Sequence, residues 1–248
     1  MLFMDKVHRL PRLWSNAELR KFAHLFTGDV ANVSGWTDVD KEGTHYKSYF
    51  SKARSYTITN YKAEARGFQG TEGEIFLDLE QSLPAELSAR FEVVFNHTTL
   101  EHIYHAHRAF DNLCKMSRDV VILILPFLQQ YHGEYGDYWR FTPLAIKRMF
   151  EDAGYELLYQ SFNNQKQAAV YTFTIASQQP DKWRGRFGDW QFNAVDSAMG
   201  RHHEPFIGGR ALPNRRYRFL RSLDRLFVRL PKKTVKKLLY RLNLRERP

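Results

Sequence analysis

Cysteine and long apolar runs are what this sequence most plainly lacks. Cys114 is the single cysteine among 248 residues, which excludes an internal disulfide and a cysteine-based zinc site and suits a reducing compartment. The longest apolar run, residues 120–128, is shorter than the ~18 residues that a membrane-spanning helix needs. The first residues also lack the apolar core and cleavage site of a secretory signal. Together these absences predict a cytoplasmic protein.

Acidic residues are scarce in one part of the chain only. Residues 1–213 contain 24 Lys and Arg against 25 Asp and Glu, whereas residues 214–248 contain 13 against 2. The formal charge of +10 therefore divides into a body at −1 and a tail at +11, so a partner for this charge is expected at the tail. With 43% hydrophobic and 26% charged residues, the composition is that of a globular protein.

Residues 91–103, with the sequence FEVVFNHTTLEHI, are the most informative stretch. Four of the first five are aromatic or β-branched, which predicts a parallel strand buried on both faces. Polar residues 96–99 then interrupt the run before a helix begins. In an open α/β sheet, ligands bind at the ends of such strands, where the strand order reverses. The stretch resembles the fourth strand and its exit in class I S-adenosylmethionine-dependent methyltransferases.

That resemblance implies a fold and a cofactor. The fold is α/β, with a Rossmann-like, seven-stranded, mostly parallel sheet that ends in a C-terminal β-hairpin and carries helices on both faces. The cofactor is S-adenosylmethionine, which the family holds on a glycine-rich turn after the first strand. Here that strand ends near Asn32, and Ser34, Trp36 and Asp38 occupy positions where the family usually has glycine, so Gly35 alone remains nearby.

Three more strand ends are expected to contact the cofactor. Asn60 stands where the family has an acidic residue for the ribose hydroxyls, and an amide lacks the charge that strengthens this contact. Asp78 matches the acidic residue beside the adenine, although it can equally cap a turn. Asn96 and His97 lie at the exit where the resemblance places the methyl-donating end, and a turn or capping role for Asn96 stays open.

Residues 128–143 are predicted to form a loop on the acceptor side of the same sheet edge. His132 is the first candidate for the base that takes a proton from the acceptor, with His97 second. Asp137 would orient His132, and Arg140 would hold an anionic group of the acceptor. These three residues are the predicted catalytic set.

No metal site is predicted from the histidines that follow the central stretch. His102, His105 and His107 lack a convincing further ligand in the sequence nearby. Glu101 is more simply a first-turn acid favoured by a helix dipole, and His102 a surface residue.

The remaining periodicities complete the predicted organisation. A capping box of Ser15 and Glu18 predicts that an N-terminal helix begins at Ser15, and a second helix is predicted over residues 45–53. Helices over 105–116 and 143–153 alternate with strands, of which the fifth is predicted to end at Pro126. The chain then divides into a helical segment (1–26), a methyltransferase-like domain (27–177), an irregular aromatic-rich segment (178–213) and a basic helical tail (214–248).

Three functions are compatible with this pattern. The first is a methyltransferase that acts on a glycan or small-molecule acceptor, because residues 40–50 and 132–143 together resemble methyltransferases of surface-polysaccharide assembly. The second is a catalytically inactive binding or scaffold domain, since the glycines and the ribose-binding acid are replaced. The third is an RNA-binding methyltransferase, although nucleic acid is the less favoured partner because the aromatics of the tail form no stacking platform.

The tail itself predicts attachment to an anionic membrane surface. Over residues 215–247, two leucine-rich stripes flanked by Arg and Lys meet at Pro231, a pattern typical of interfacial helices. The protein is then expected to be peripheral on the inner face of the cytoplasmic membrane. The alternative is that the stripes pack on the body of the protein or on a second subunit.

Overall fold

A seven-stranded sheet forms the centre of the computed structural model, which describes residues 5–62, 67–133, 136–163, 165 and 168–187. The strand order is β3-β2-β1-β4-β5-β7-β6. The strands are β1 (Asp29–Val33), β2 (Ser55–Asn60), β3 (Ile75–Phe76), β4 (Phe91–His97), β5 (Ser117–Leu128), β6 (Glu156–Phe162) and β7 (Val170–Ser177). Strands β1 to β5 pair in parallel, whereas β7 runs antiparallel to both β5 and β6. This methyltransferase-like arrangement confirms the predicted fold.

Alternate residues of the central strands enter two separate hydrophobic cores, one on each face of the sheet. In β5, Val120 and Ile122 belong to one core, whereas Val121 and Leu123 belong to the other. All four side chains are fully buried. The nearly continuous apolar run of β5 is therefore the consequence of covering both faces of a parallel strand.

Helices cover both faces, as predicted. On one face, α2 (Ala106–Met116) and α3 (Pro143–Asp152) meet through the rings of Phe110 and Phe150, whose centroids are 4.9 Å apart. On the other face lie α1 (Asp5–Phe22) and the short α4 (Pro180–Trp183). The side chain of Thr142 caps α3 by accepting the N–H of Ala145 at 3.1 Å, as the sequence predicts.

The N-terminal helix starts ten residues earlier than the capping box predicted. Helix α1 begins at Asp5, so Ser15 lies in its interior and the predicted cap is wrong. The Ser15 hydroxyl donates instead to the carbonyl oxygen of Arg12 at 2.9 Å, a local bond that makes serine acceptable within a helix. Pro11 is also inside the helix.

The predicted helix over residues 45–53 is also wrong, because the chain forms only a 3-10 turn at Tyr46–Ser48. Tyr46, Tyr49 and Phe50 are buried, and their spacing imitates the apolar stripe of a helix. The turn is tied instead to the preceding loop, where the backbone N–H of Lys47 donates to Asp38 at 2.9 Å. Tertiary contacts therefore replace the helical hydrogen bonds.

The fifth strand is longer than predicted. Strand β5 continues past Pro126 to Leu128, with a shift of register against β7 between these two residues. Pro126 still pairs with Tyr171, and Phe127 is the residue without a pairing partner in β7. This bulge thus directly follows the proline, and bulges are among the few places in a sheet that tolerate a residue without an N–H.

Two predicted segments lie partly or wholly outside the described residues. Trp183 and Phe187, from the aromatic-rich segment, pack beside Phe26 in the second core. Residues 188–213 of that segment and the whole basic tail are not among the described residues. Within the described part of the chain, no helix has the length and apolar character needed to cross a bilayer.

Candidate active site

A cleft of about 960 Å³ opens at the carboxyl ends of β1, β2 and β4. Strand β1 has β2 on one side and β4 on the other, so the cleft lies where the strand order reverses, the usual ligand site of an open α/β sheet. All but one of the seven predicted cofactor contacts line it: Asn32, Ser34, Gly35, Asn60, Asp78 and His97.

The backbone of the turn after β1 keeps a conformation that normally requires glycine. Ser34, Trp36 and Asp38 have φ angles of 58°, 46° and 62°. These are the three positions at which the sequence departs from the glycine pattern. Left-handed backbone costs a residue with a side chain about 1–3 kcal/mol, so the surrounding contacts must hold the turn in place.

Asp38 supplies much of this restraint. Its buried carboxylate accepts hydrogen bonds from Asn32 Nδ2 at 2.8 Å, from the Tyr56 hydroxyl at 2.6 Å and from the Lys47 backbone at 2.9 Å. Gly35 then packs so closely on Asn32 that an added Cβ would lie 2.5 Å from Asn32 Nδ2. The remaining glycine is therefore required by close approach.

Asn60 fixes the same turn from the neighbouring strand. Its Oδ1 accepts the Trp36 backbone N–H at 2.7 Å, and its Nδ2 donates to the Trp36 carbonyl at 3.0 Å and to Glu74 Oε1 at 2.5 Å. The amide donor is thus fully used, while Oδ1 keeps a second lone pair beside the cleft. An acidic residue here would not donate to Trp36, which explains why an amide suits this turn.

At the exit of β4, two predicted contacts behave differently. Asn96 is buried and donates from Nδ2 to the Val33 carbonyl at 2.9 Å, across the reversal of strand order. His97 faces the cleft, with Nε2 2.8 Å from Ser15 Oγ and Nδ1 3.1 Å from Thr98 Oγ1. Burial, followed by the charge of Arg12, lowers the pKa of His97 well below its ordinary value, so the ring is neutral at neutral pH.

Helix α1 contributes a cleft residue that the sequence did not suggest. Arg12 lines the cleft but precedes the predicted helix start at Ser15. It brings a positive charge to a wall that also includes Asp78. Asp78 lines the cleft, and its Oδ1 accepts the Glu80 N–H at 2.9 Å, as expected of a residue that caps a turn.

The predicted catalytic residues form one network at the rim of the cleft. The Asp137 carboxylate accepts the His132 backbone N–H at 2.9 Å and Arg140 Nη2 at 2.7 Å, and its Oδ2 lies 3.2 Å from His132 Nδ1. The hydrogen bond from Arg140, despite the opposing effect of burial, lowers the Asp137 pKa to about 2. His102 connects this network to the cleft, because it lines the cleft and its ring centroid lies 4.9 Å from that of His132.

Glu101, which does lie in the first turn of a 3-10 helix, is buried, and His102 is not the surface residue that the sequence favoured. Their side chains are 1% and 18% exposed, and burial raises the Glu101 pKa to about 8. One ligand atom from each of Glu101, His102 and His132 lies within 4.8 Å of the other two. Sequence reasoning missed this group because His132 follows 30 positions after His102 and only the fold unites them.

Comparisons with known proteins identify similar structures but no sequence relatives. Neither a protein-family model nor a curated protein sequence matches the chain. A protein from Bacillus halodurans assigned as a methyltransferase is 11% identical, with 65% of this chain and 97% of that chain covered at a TM-score of 0.47. Magnesium protoporphyrin IX methyltransferase from Synechocystis, solved with bound SAH, is 12% identical. The match covers 71% of this chain and 87% of that chain at a TM-score of 0.47.

A SAM-dependent methyltransferase from Methanosarcina mazei is also similar. It is 12% identical, with 60% of this chain and 92% of that chain covered at a TM-score of 0.41. At such identities the likeness concerns architecture alone. The chemistry of this chain has to be argued from its own cleft.

Proposed function

We propose that this protein is an S-adenosylmethionine-dependent methyltransferase. The observation that carries the proposal is the cleft at the strand-order reversal, walled by a turn that keeps the backbone of a glycine-rich loop without its glycines. A volume of about 960 Å³ is large enough for a nucleoside-sized ligand. Asp78 and the second lone pair of Asn60 Oδ1 supply acceptors for adenosine, and Arg12 supplies a cation for the cofactor carboxylate.

Methyl transfer to a hydroxyl is an in-line displacement at the methyl carbon. The acceptor oxygen forms a bond to that carbon, the carbon–sulfur bond of the sulfonium breaks, and S-adenosylhomocysteine leaves. Orientation does most of the work, and a base must take the hydroxyl proton. Asp137 Oδ2 lies 3.2 Å from His132 Nδ1 and would stabilise this ring once it has taken the proton. Burial and the charge of Arg12 lower the pKa of His97, so His132 remains our first candidate for this base.

The rim of the cleft favours a glycan or another hydroxyl-bearing acceptor. Tyr104 and Tyr138 line the cleft and are 61% and 54% exposed, with ring centroids 5.5 Å apart. Trp139 joins them through a 3.0 Å hydrogen bond from its Nε1 to the Tyr104 carbonyl. Exposed aromatic faces held in place in this way can stack on the apolar face of a sugar ring.

Calorimetry with the purified full-length protein tests the cofactor. We expect one equivalent of S-adenosylmethionine or S-adenosylhomocysteine to bind, and ATP to give no comparable heat. Gly35→Ala should weaken binding at least about tenfold, because the new Cβ meets Asn32 and the turn must move. If the parent protein gives neither heat nor a thermal shift at millimolar cofactor, the enzyme proposal is wrong.

A non-catalytic binding domain is the second candidate. Asn60 supports it, because its amide is committed to the Trp36 backbone and offers the cofactor ribose no charge. Cofactor binding without turnover of any glycan acceptor would favour this alternative.

We further propose that the tail attaches the enzyme to an anionic membrane surface. The support is its sequence pattern, with 13 basic against 2 acidic residues over 214–248 and apolar residues at helical spacing. This placement would bring the cleft to lipid-linked glycans.

A further inference from the structure

We propose that Glu101, His102 and His132 form a binding site for a divalent transition-metal ion, with Zn²⁺ as the reference ion. Two imidazoles and one carboxylate are a ligand set that suits such ions and leaves coordination positions open. The site lies at the rim of the cleft, and His102 belongs to both.

The protonation pattern of His102 favours metal binding. Its Nδ1 lies 2.5 Å from the Gly136 carbonyl oxygen, which can only accept, so Nδ1 carries the proton. In the neutral ring, Nε2 then has the lone pair, and this atom lies 3.7 Å from Glu101 Oε1. A backbone carbonyl behind one ring nitrogen is the usual arrangement for a histidine that ligates metal through the other.

His132 is oriented in the same way. Its Nδ1 faces the Asp137 carboxylate at 3.2 Å and the Gln130 carbonyl at 3.3 Å, so the proton resides on Nδ1 and the lone pair on Nε2. A carboxylate behind a ligating imidazole fixes its tautomer and raises its basicity. Gln129 Nε2 lies 3.2 Å from His132 Nδ1 and 3.3 Å from Nε2, and a metal ion on Nε2 would displace this amide.

Glu101 supplies an independent reason to expect a ligand. Its side chain is 1% exposed, and its buried Oε2 has no hydrogen-bond partner among the described residues. A buried carboxylate oxygen without a partner is costly, and a metal ion would satisfy it. The charge of the nearby Arg140 is already directed at Asp137 through two hydrogen bonds.

The ligand atoms need a small adjustment to close on an ion. They now lie within 4.8 Å of one another, whereas bonds of about 2.0–2.2 Å in a tetrahedral site place ligand atoms about 3.4 Å apart. Rotation of the His132 ring, which is on the rim loop, can supply the difference. Since metal would occupy Nε2, His132 would then be a ligand and not the proton acceptor.

Metal binding can be measured without assaying activity. Untagged full-length protein is stripped with a chelator and titrated with Zn²⁺ by calorimetry, and with Co²⁺ by visible absorption. We expect one tight equivalent, weakened at least about 100-fold in His102→Gln and in His132→Gln, since loss of a supporting residue alone costs about 10–100-fold. His107→Gln, an exposed position on α2, and the double variant His202→Gln, His203→Gln should bind as the parent does.

A second measurement needs no variant. Zn²⁺ should protect His102 and His132, but not His107, from modification by diethyl pyrocarbonate read by mass spectrometry. The proposal is overturned if the parent binds no Zn²⁺, if the tight equivalent survives in both ligand variants, or if Zn²⁺ protects neither histidine. None of these outcomes depends on cofactor binding, so this inference and the proposed function fail separately.

Discussion

Asp38 shows how one residue sustains the turn after β1. Its carboxylate is 3% exposed and accepts from Asn32, Tyr56 and the Lys47 backbone. Its own φ angle is positive, as are those of Ser34 and Trp36. The hydrogen bonds to Asp38 therefore offset backbone strain that the absent glycines would have avoided.

Asp38→Ala should lower the free energy of unfolding by about 2–4 kcal/mol, because it leaves buried donors unpaired and keeps a strained backbone. Urea unfolding measures the loss, and calorimetry with S-adenosylhomocysteine should show weaker binding. The matched control is Asp111→Ala at an exposed position of α2. If the two variants were equally stable, Asp38 would not be the residue that stabilises the turn after β1.

His132→Gln should reduce turnover by at least about 100-fold while cofactor affinity stays within about threefold. The expectation follows from the position of His132, which contacts His102 at the rim but is not among the residues that line the cleft. A role of His132 as the base and a role as a metal ligand both predict this loss of turnover. The Zn²⁺ titration of His132→Gln distinguishes the two roles. Parent-like turnover in His132→Gln would exclude both roles.

Predictions from the sequence were also less complete for individual site residues than for strands and helices. Asp78, Gly35 and His97 were identified from their order along the chain, and all three line the cleft. Arg12 was missed because the cap at Ser15 seemed to exclude it from the helix. Glu101 was missed because nothing in a single sequence shows that a first-turn acid is buried.

Among the secondary-structure elements, the amino ends of three strands are joined by one carboxylate. Asp29, at the start of β1, accepts from Arg54 Nε at 2.9 Å, from Ser55 Oγ at 2.7 Å and from Arg118 Nη2 at 3.2 Å. The hydrogen bond from Arg54 is the largest cause of a pKa well below the ordinary carboxyl value. This network of ion pairs and hydrogen bonds around Asp29 thus links β1, β2 and β5 at the end of the sheet opposite the cleft.

Acid should weaken this Asp29 network. Because the folded-state pKa of Asp29 is depressed, its stabilisation is present above the unfolded value of about 3.9 and is lost as the pH falls towards the folded value. Asp29→Asn should therefore show a shallower fall of Tm between about pH 5 and pH 2.5 than the parent. The difference should be small and sensitive to salt, since Arg54 is exposed. Identical acid profiles would contradict the prediction.

Elements with strong local signals were predictable and those fixed by distant contacts were not. Helix α3 has Thr142 as its cap, Pro143 at its first turn and Gly154 after its end, so its limits follow from local chemistry. The turn at Tyr46–Ser48 has an apolar stripe, but hydrogen bonds to Asp38 decide its shape. Periodicity alone cannot distinguish these cases.

For the whole molecule, the mostly parallel seven-stranded sheet and its C-terminal hairpin were predictable because the strand patterns resemble one known arrangement. The basic tail lies outside the described residues, so its membrane role stays a prediction. The intact protein should bind liposomes containing anionic lipid, should ignore zwitterionic ones and should be released by salt.

A variant with Leu220→Asp and Leu223→Asp should lose liposome binding while its cofactor affinity is unchanged. Cosedimentation measures the first property and calorimetry the second. An intact protein that ignores anionic liposomes would show that the stripe packs on protein instead.

The three left-handed residues of the turn after β1, Ser34, Trp36 and Asp38, have a consequence for how this turn responds to mutation. A search of the sequence for a glycine pattern would miss this turn. A search of the structure for three positive φ angles at these positions would find it. Glycine at position 34 or 36 would enter a backbone already shaped for it. A single Ser34→Gly or Trp36→Gly substitution would therefore leave the path of the turn unchanged, so the two positions can be altered one at a time.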